Sequence, residues 1–487
     1  KRKSLDRRRK RKMLSRWLLL LCLLALPADG FSLEKAATRP VMRPVSAATP
    51  ARHSLMAAAG TLEPKGASVP SSTVNLAKNI VGAGVLALAS GVSSFSSSRA
   101  ALPPALAILL ALCSMSGYTF SVIARVGNAV GASSYRDTWA KVFGESSAII
   151  PAFTVTFKTL CGALAYAIIV GDSFASIGKL VGGPALLASS NFMIVLLSVF
   201  VFLPLCLMRN LSSLAIGSVI GTAGTLYTAI FMGLRALDGS YAAGGKYHAQ
   251  IAKNLQPSFA TAARPVMNAN VFILVSMLAT AFLAHYNAPK FFDELAGPED
   301  GGSKLPRFNQ VVVGAFGLAA LLCGSIMAAG FSTFGAASQG FILNNYATAD
   351  RLALLARIGI SASIIFSFPL NFVGLREGVL DLLQLKARAH EDAVHRASTV
   401  LLLAAVSTVA LFLKDLGLVV AFGGAILGSA LVYIFPALMF LKHKRDAKEP
   451  QTLATRAETG LNIGVALSGV MLAAVGGTMT LKKAGII

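Results

Sequence analysis

Lys78 and Asn79 sit inside an apolar stretch, four and three residues ahead of Gly82, and Gly84 follows two residues later. An ammonium, a carboxamide and two glycines suit poorly a helix wrapped in hydrocarbon. Charged and amide side chains are costly there unless they face a cavity or a polar partner, and glycine weakens a helix interior. The same residues suit a site that meets a solute or an ion. A helix unwound over Gly82, Ala83 and Gly84 exposes amides and carbonyls. The half-helix ends add dipoles of either sign, so a carboxylate and an ammonium each find a partner. Non-helical backbone at such depth is tolerated only where it is buried in protein or lines a cavity. Gly-Ala-Gly also suits a close helix-packing surface; the neighbouring Lys78 and Asn79 favour a site.

A second constellation has the same character. The apolar run Val271 to Leu283 gives way to AHYNAPKFFDEL, residues 284–295. Pro289 removes a backbone donor and disfavours helix just before it, while His285 and Asn287 bring polar atoms to the break. The plain alternative is a helix that ends at Leu283 and leads into a loop. Two interrupted apolar segments in corresponding positions point to a binding site between them. The candidate substrate-binding residues are therefore Asn79, Gly82, Ala83, Gly84, His285 and Asn287. His285 reads either as a pH-sensing group or as a hydrogen-bonded structural histidine. Lys158 either pairs with a neighbour or snorkels to an interface, and Asp172 reads as loop-facing rather than as a proton carrier.

The elements that must hold these residues are membrane helices. The chain is 55% hydrophobic and 13% charged, with a mean hydropathy of +0.67; soluble proteins carry about 25% charged residues. Runs of spanning length, roughly 20 residues, lie near 72–95, 101–124, 147–170, 190–208 and 212–234. A second set lies near 268–285, 310–332, 352–375, 397–413, 416–441 and 460–481. This predicts an all-α integral membrane protein of about eleven transmembrane helices. Five spans, five more entering the membrane inverted, and an appended C-terminal helix make a 5+5 inverted repeat. The predicted domains are a tail, 1–66, and a transmembrane domain, 67–487.

The net charge of +23 is no nucleic-acid footprint, because residues 1–66 alone hold fifteen Lys/Arg against four Asp/Glu. Elsewhere basic residues such as Arg136, Lys141, Arg388 and Lys444 sit in short loops that orient the spans, with the N-terminal end of the core inside. Within the tail, residues 13–30 read as a signal peptide, with Met13 as a start, Leu18 to Leu26 as its apolar core and small residues closing it. Residues 31–65, rich in Ala, Arg, Ser, Thr and Pro, have transit-peptide composition. A signal followed by a transit segment is similar to the bipartite presequence of algae with secondary plastids; otherwise the tail is a disordered extension and the membrane plasma or vacuolar. The five cysteines all lie in apolar runs without CxxC spacing, so neither a disulfide framework nor a zinc site is indicated.

VNLAKNIVGAGVLAL, residues 74–88, resembles the opening of the amino acid/auxin permease family, which includes sodium-coupled neutral amino acid transporters. Ser134-Tyr135-Arg136-Asp137 with Phe143-Gly144 resembles the family's inner loop after helix 2, and Ala165 to Asp172 its helix 3 ending. Pro204-Leu205 with Leu211 to Leu214 and Ser218 is similar to the helix 4–5 junction. AHYNAPKFFDEL is similar to its His-containing break, Thr333-Phe334-Gly335 to its helix 7 ending, and Phe368-Pro369-Leu370 with Arg376 to its helix 8. The resemblance covers residues 70–481.

The resemblance implies a leucine-transporter-type fold that moves an amino acid by alternating access, driven by a sodium or proton gradient. It implies no cofactor beyond that ion, an amino acid and the lipid bilayer as partners, no nucleic acid and no enzyme activity. In sodium-coupled relatives the ion lies between helix 1 and hydroxyls of helix 8, where this chain offers Ser361, Ser363 and Ser367. Lys78 departs from the pattern. A fixed ammonium repels or replaces sodium, whereas a buried lysine can titrate because desolvation favours its neutral form. Lys78, Ser361 and Ser363 are thus the candidate coupling residues. A non-transporting amino-acid sensor that keeps the fold is the rival reading.

Overall fold

Ser68 starts the first helix by accepting a hydrogen bond from the Ser71 amide, with proline in the first turn of α1 (Val69–Ile80). That pairing satisfies an orphan donor, and proline fits where no donor is needed. The computed structural model describes residues 66–209, 216–260, 268–298, 302–385, 388–389, 391–447 and 452–486. The signal-like and transit-like segments, 13–30 and 31–65, lie outside the described residues.

α1 stops at Val81, whose φ of −78° and ψ of 85° are those of an inverse γ-turn. The Gly82 amide accordingly donates to the Ile80 carbonyl at 2.9 Å. A 3₁₀ turn, Ala83–Ala87, leads into α2 (Leu88–Phe95), and the two arms of the span bend by 48°. α3 (Leu102–Ala129), α4 (Tyr135–Phe143), α5 (Ile149–Leu180), α6 (Ser190–Leu207) and α7 (Ile216–Leu237) follow.

The second break is present as the sequence predicts. α8 (Val271–Ala281) ends, a 3₁₀ turn spans His285–Asn287, and α9 (Ala288–Glu294) resumes with Pro289 in its first turn. Then come α10 (Leu305–Phe334), α11 (Arg351–Leu382), α12 (Asp392–Phe412), α13 (Leu416–Asp446) and α14 (Leu453–Lys483). Among the described residues nine helices are long and apolar enough to cross a membrane, ten with the bent α1–α2 pair as one span. α7, with 22 residues, stands in the place of the fifth expected span. Several helices outrun their apolar cores: α5 reaches Leu180 and α11 reaches Leu382. Hydropathy marks the hydrocarbon portion of a helix and not its polar continuation into the interface.

Two glycines let α7 and α11 touch backbone to backbone. A Cβ on Gly224 would lie 2.8 Å from the Gly359 carbonyl carbon, the small-residue contact that packs membrane helices closely. One end of the bundle is sealed by the segment between α10 and α11. Its 3₁₀ turn, Ile342–Asn345, packs against the Ala83–Ala87 turn. Fully buried Asp350 accepts from Arg235 Nη2 at 2.8 Å, Arg235 Nε at 2.8 Å and Tyr241 Oη at 3.0 Å. Arg357, 2% exposed, donates to the carbonyls of Leu343 and Tyr346.

Candidate substrate cavity

The two breaks meet. Asn287 Nδ2 of the second donates to Asn79 Oδ1 of the first at 3.1 Å. Around this bridge lies a cavity of about 1050 Å³, lined by both breaks and by α5, α7 and α11. Its lining runs past Asn75, Lys290, Glu294 and Glu377 and includes no residue of the sealing segment 335–350. The cavity therefore opens toward the end of the bundle that carries the start of α1 and the end of α9.

Each backbone feature at the first break has a local cause. A Cβ on Gly82 would meet nothing within 4 Å, so the peptide faces open space. Gly82 caps the Ala83–Ala87 turn without any side-chain hydrogen bond, and the first amides of a helix have no partner inside it. The Gly82 amide is engaged by the Ile80 carbonyl and the Val85 amide by that of Gly82, which leaves the Ala83 and Gly84 amides as the donors the turn can offer. Gly84 is tighter: its Cβ would come within 3.5 Å of Val420 and 3.6 Å of Thr280. Thr280 is itself held by its hydroxyl on the Val420 carbonyl at 2.7 Å.

Lys78 extends toward α7 and α11. A Cβ on Gly221 would run into the Ser363 hydroxyl and would lie 3.6 Å from Lys78 Cε, so Ser363 and the lysine stem both flank Gly221. On α11 the lining positions include Ser363, Ser367, Asn371, Gly374 and Glu377, a single helical stripe. Ser361 is not on it. Two residues along an α-helix turn the side chain by about 200°, so Ser361 and Ser363 cannot serve one cation together. Ser361 is buried with its hydroxyl unpartnered.

His285 is likewise turned away. It is fully buried, and its Nε2 lies 2.9 Å from Thr119 Oγ1 and 3.0 Å from the Ser116 carbonyl of α3. Phe120 and Phe316 pack edge-on around the ring. Of the candidate residues the structure brings Lys78, Asn79, Gly82, Gly84, Asn287 and Ser363 to one cavity, and leaves His285 and Ser361 outside it. Ala83 lies between the two glycines in the break.

Lys158 takes the first of its two readings, pairing with a neighbour, and Asn371 gains a place that sequence reasoning did not assign. Lys158 does not snorkel: its Nζ donates to Tyr286 Oη at 2.9 Å and stands 4.6 Å from the ring centroid, at the cavity wall. The polar content of an apolar helix was its only signal. Asn371, on the lining stripe, donates to the Thr159 carbonyl at 2.8 Å and joins α11 to α5. Asp172, read as loop-facing, accepts from Asn344 of the sealing segment at 2.9 Å.

A family model described as transmembrane amino acid transporter protein matches residues 65–482. The chain belongs to that family. It is 27% identical over 383 residues to the Danio rerio protein named "Putative sodium-coupled neutral amino acid transporter 11", covering 77% of this chain and 79% of the relative. It is 23% identical over 407 residues to "Vacuolar amino acid transporter 2" of Saccharomyces cerevisiae, covering 79% of each. Among solved structures, MhsT in complex with L-phenylalanine matches with a TM-score of 0.52 at 11% identity, over 83% of this chain and 98% of that one. The inward-facing conformation of Mhp1 matches at 0.54 and 13% identity, over 88% and 95%. The fold is thus the leucine-transporter type that the family resemblance implied, in a multi-pass membrane protein.

Proposed function

We propose that the chain is a secondary active transporter that moves amino acids by alternating access, coupled to protons, here in the state open at the α9 end. The observation that carries the coupling is Lys78 beside Ser363 and Gly221. An ammonium tethered between the first break and α11 competes directly with an alkali cation for that position. The relative's name speaks of sodium; Lys78 argues against carrying that ion over to this chain. Proton exchange at the Lys78 amine, as its surroundings alternate between faces, supplies a coupling step without a second ion.

The site reading rests on Gly82, Ala83 and Gly84 for the substrate carboxylate and on Asn79 with Asn287 for its polar head. The test is uptake of a radiolabelled amino acid panel into proteoliposomes under a sodium gradient, a pH gradient, or neither. The expected result is uptake driven by the pH gradient alone, with Lys78→Met losing gradient dependence while retaining exchange. Sodium-driven uptake indifferent to pH would overturn the coupling. Folded protein that binds amino acids but neither transports nor exchanges them would establish the sensor reading instead.

A further inference from the structure

We infer that the cavity is built for an acidic amino acid, and that Lys158 is the residue selecting its side-chain carboxylate. The inference rests on the transporter reading and names its substrate class. Two ammoniums, Lys78 and Lys158, line the deep part of the cavity. Among the described residues neither has a carboxylate within ion-pair distance: Lys158 meets only the neutral Tyr286 hydroxyl, at 2.9 Å. The acids that line the same cavity stand at its mouth. Glu294 is exposed and lies 3.8 Å from Lys290, and Glu377 is exposed on the last turns of α11.

Uncompensated cations at membrane depth are costly and persist where a solute or partner meets them. A neutral amino acid brings one carboxylate and one ammonium of its own, so it leaves the cationic excess as it found it. An acidic amino acid brings a second carboxylate and removes one positive charge from the balance. The geometry says which lysine takes it. Lys78 runs along Gly221, its Cε 3.6 Å from where a Cβ there would lie. Lys158 is fixed on Tyr286, next in sequence to the Asn287 that bridges to Asn79. Lys158 lines the same cavity as Gly82 and Gly84, so a substrate whose α-carboxylate lies on that turn shares its space with the Lys158 ammonium. Tyr286 orients the ammonium through its hydroxyl and ring face, which keeps one donor aimed and the others available.

The experiment uses the full 487-residue chain, purified and reconstituted. Thermal stabilisation and competition for uptake are measured with aspartate and glutamate against alanine, leucine and glutamine. Wild type is compared with Lys158→Gln and with the charge-retaining Lys158→Arg. The expected result is stabilisation by the acidic pair first. In Lys158→Gln the acidic-over-neutral preference falls at least about tenfold, the scale of one charge-assisted hydrogen bond, and in Lys158→Arg it is largely restored. A merely structural lysine would lower binding of all substrates together and leave that ratio unmoved. Neutral amino acids binding as well as acidic ones, or a preference unchanged in Lys158→Gln, overturns the inference and leaves the transporter standing. Binding of no amino acid at all overturns both.

Discussion

Replacing Gly82 by leucine separates the substrate site from the fold. The backbone there has φ −102° and ψ −163°, extended geometry open to any L-residue, and a Cβ would touch nothing within 4 Å. The native state therefore bears no clash, and glycine replacement at a compatible position changes stability by about 1 kcal/mol or less. The isobutyl group instead occupies the space from which a carboxylate would approach the amides of the Ala83–Ala87 turn. Loss of one hydrogen bond to a charged group costs about 1.5–3 kcal/mol, which is roughly 10- to 150-fold in affinity. Thermal unfolding in detergent and half-saturation of exchange in proteoliposomes are the two readouts. Gly424→Ala is the control, since its Cβ would collide with the Ser276 carbonyl and the unfolding midpoint should collapse. Gly82→Leu with wild-type exchange kinetics would refute the assignment of the break as the carboxylate site. Gly82→Leu unfolding as readily as Gly424→Ala would refute the claim that the space beside it is open.

Asp350→Asn should lower stability by about 3–5 kcal/mol, the scale of breaking one side of a buried ion pair, because Arg235 and Tyr241 both rely on that carboxylate; a denaturant or thermal melt checks it. Ser361→Ala should raise stability by about 1 kcal/mol, since it removes a buried hydroxyl without a partner, and should leave substrate and gradient dependence unchanged; Ser363→Ala should alter the gradient dependence. A fluorescent reporter fused behind residues 1–66 should reach a plastid in an algal host; accumulation at the vacuolar or plasma membrane would reject the bipartite presequence.

The helix breaks were legible because their causes are local. Glycines at 82 and 84 and a proline at 289 act on their own turn of backbone, whatever packs around them, and both breaks lie where the residue types place them. Depth was legible too, since apolar length locates a residue along the membrane normal. Azimuth was not. His285 sits one residue from Tyr286 and two from Asn287, and only the latter two line the cavity. Ser361 and Ser363 part in the same way. Which face of a helix meets the cavity is set by partners distant in sequence, such as Ser116 and Thr119 of α3 for His285 and Gly221 of α7 for Ser363. Lys158 shows the converse: its charge was visible, but its direction depends on Tyr286, which only the folded second break delivers.

The two ends of the cavity differ in how they are held, and the difference bears on how access would alternate. At the sealed end Arg235 belongs to α7, Tyr241 to the segment after it, and Asp350 and Arg357 to α11 and its approach. These groups bind the sealing segment to the α7–α11 pair, which is already locked by the Gly224–Gly359 contact. Opening of the sealed end would part the Ile342–Asn345 turn from the Ala83–Ala87 turn and the Asn344 amide from Asp172 of α5. Separating Asp350 from Arg235 would instead leave a bare charge in a buried setting. On the proposed alternating access, the Asp350 network would hold the sealing segment to α7 and α11 while its packing on the substrate turn gives way.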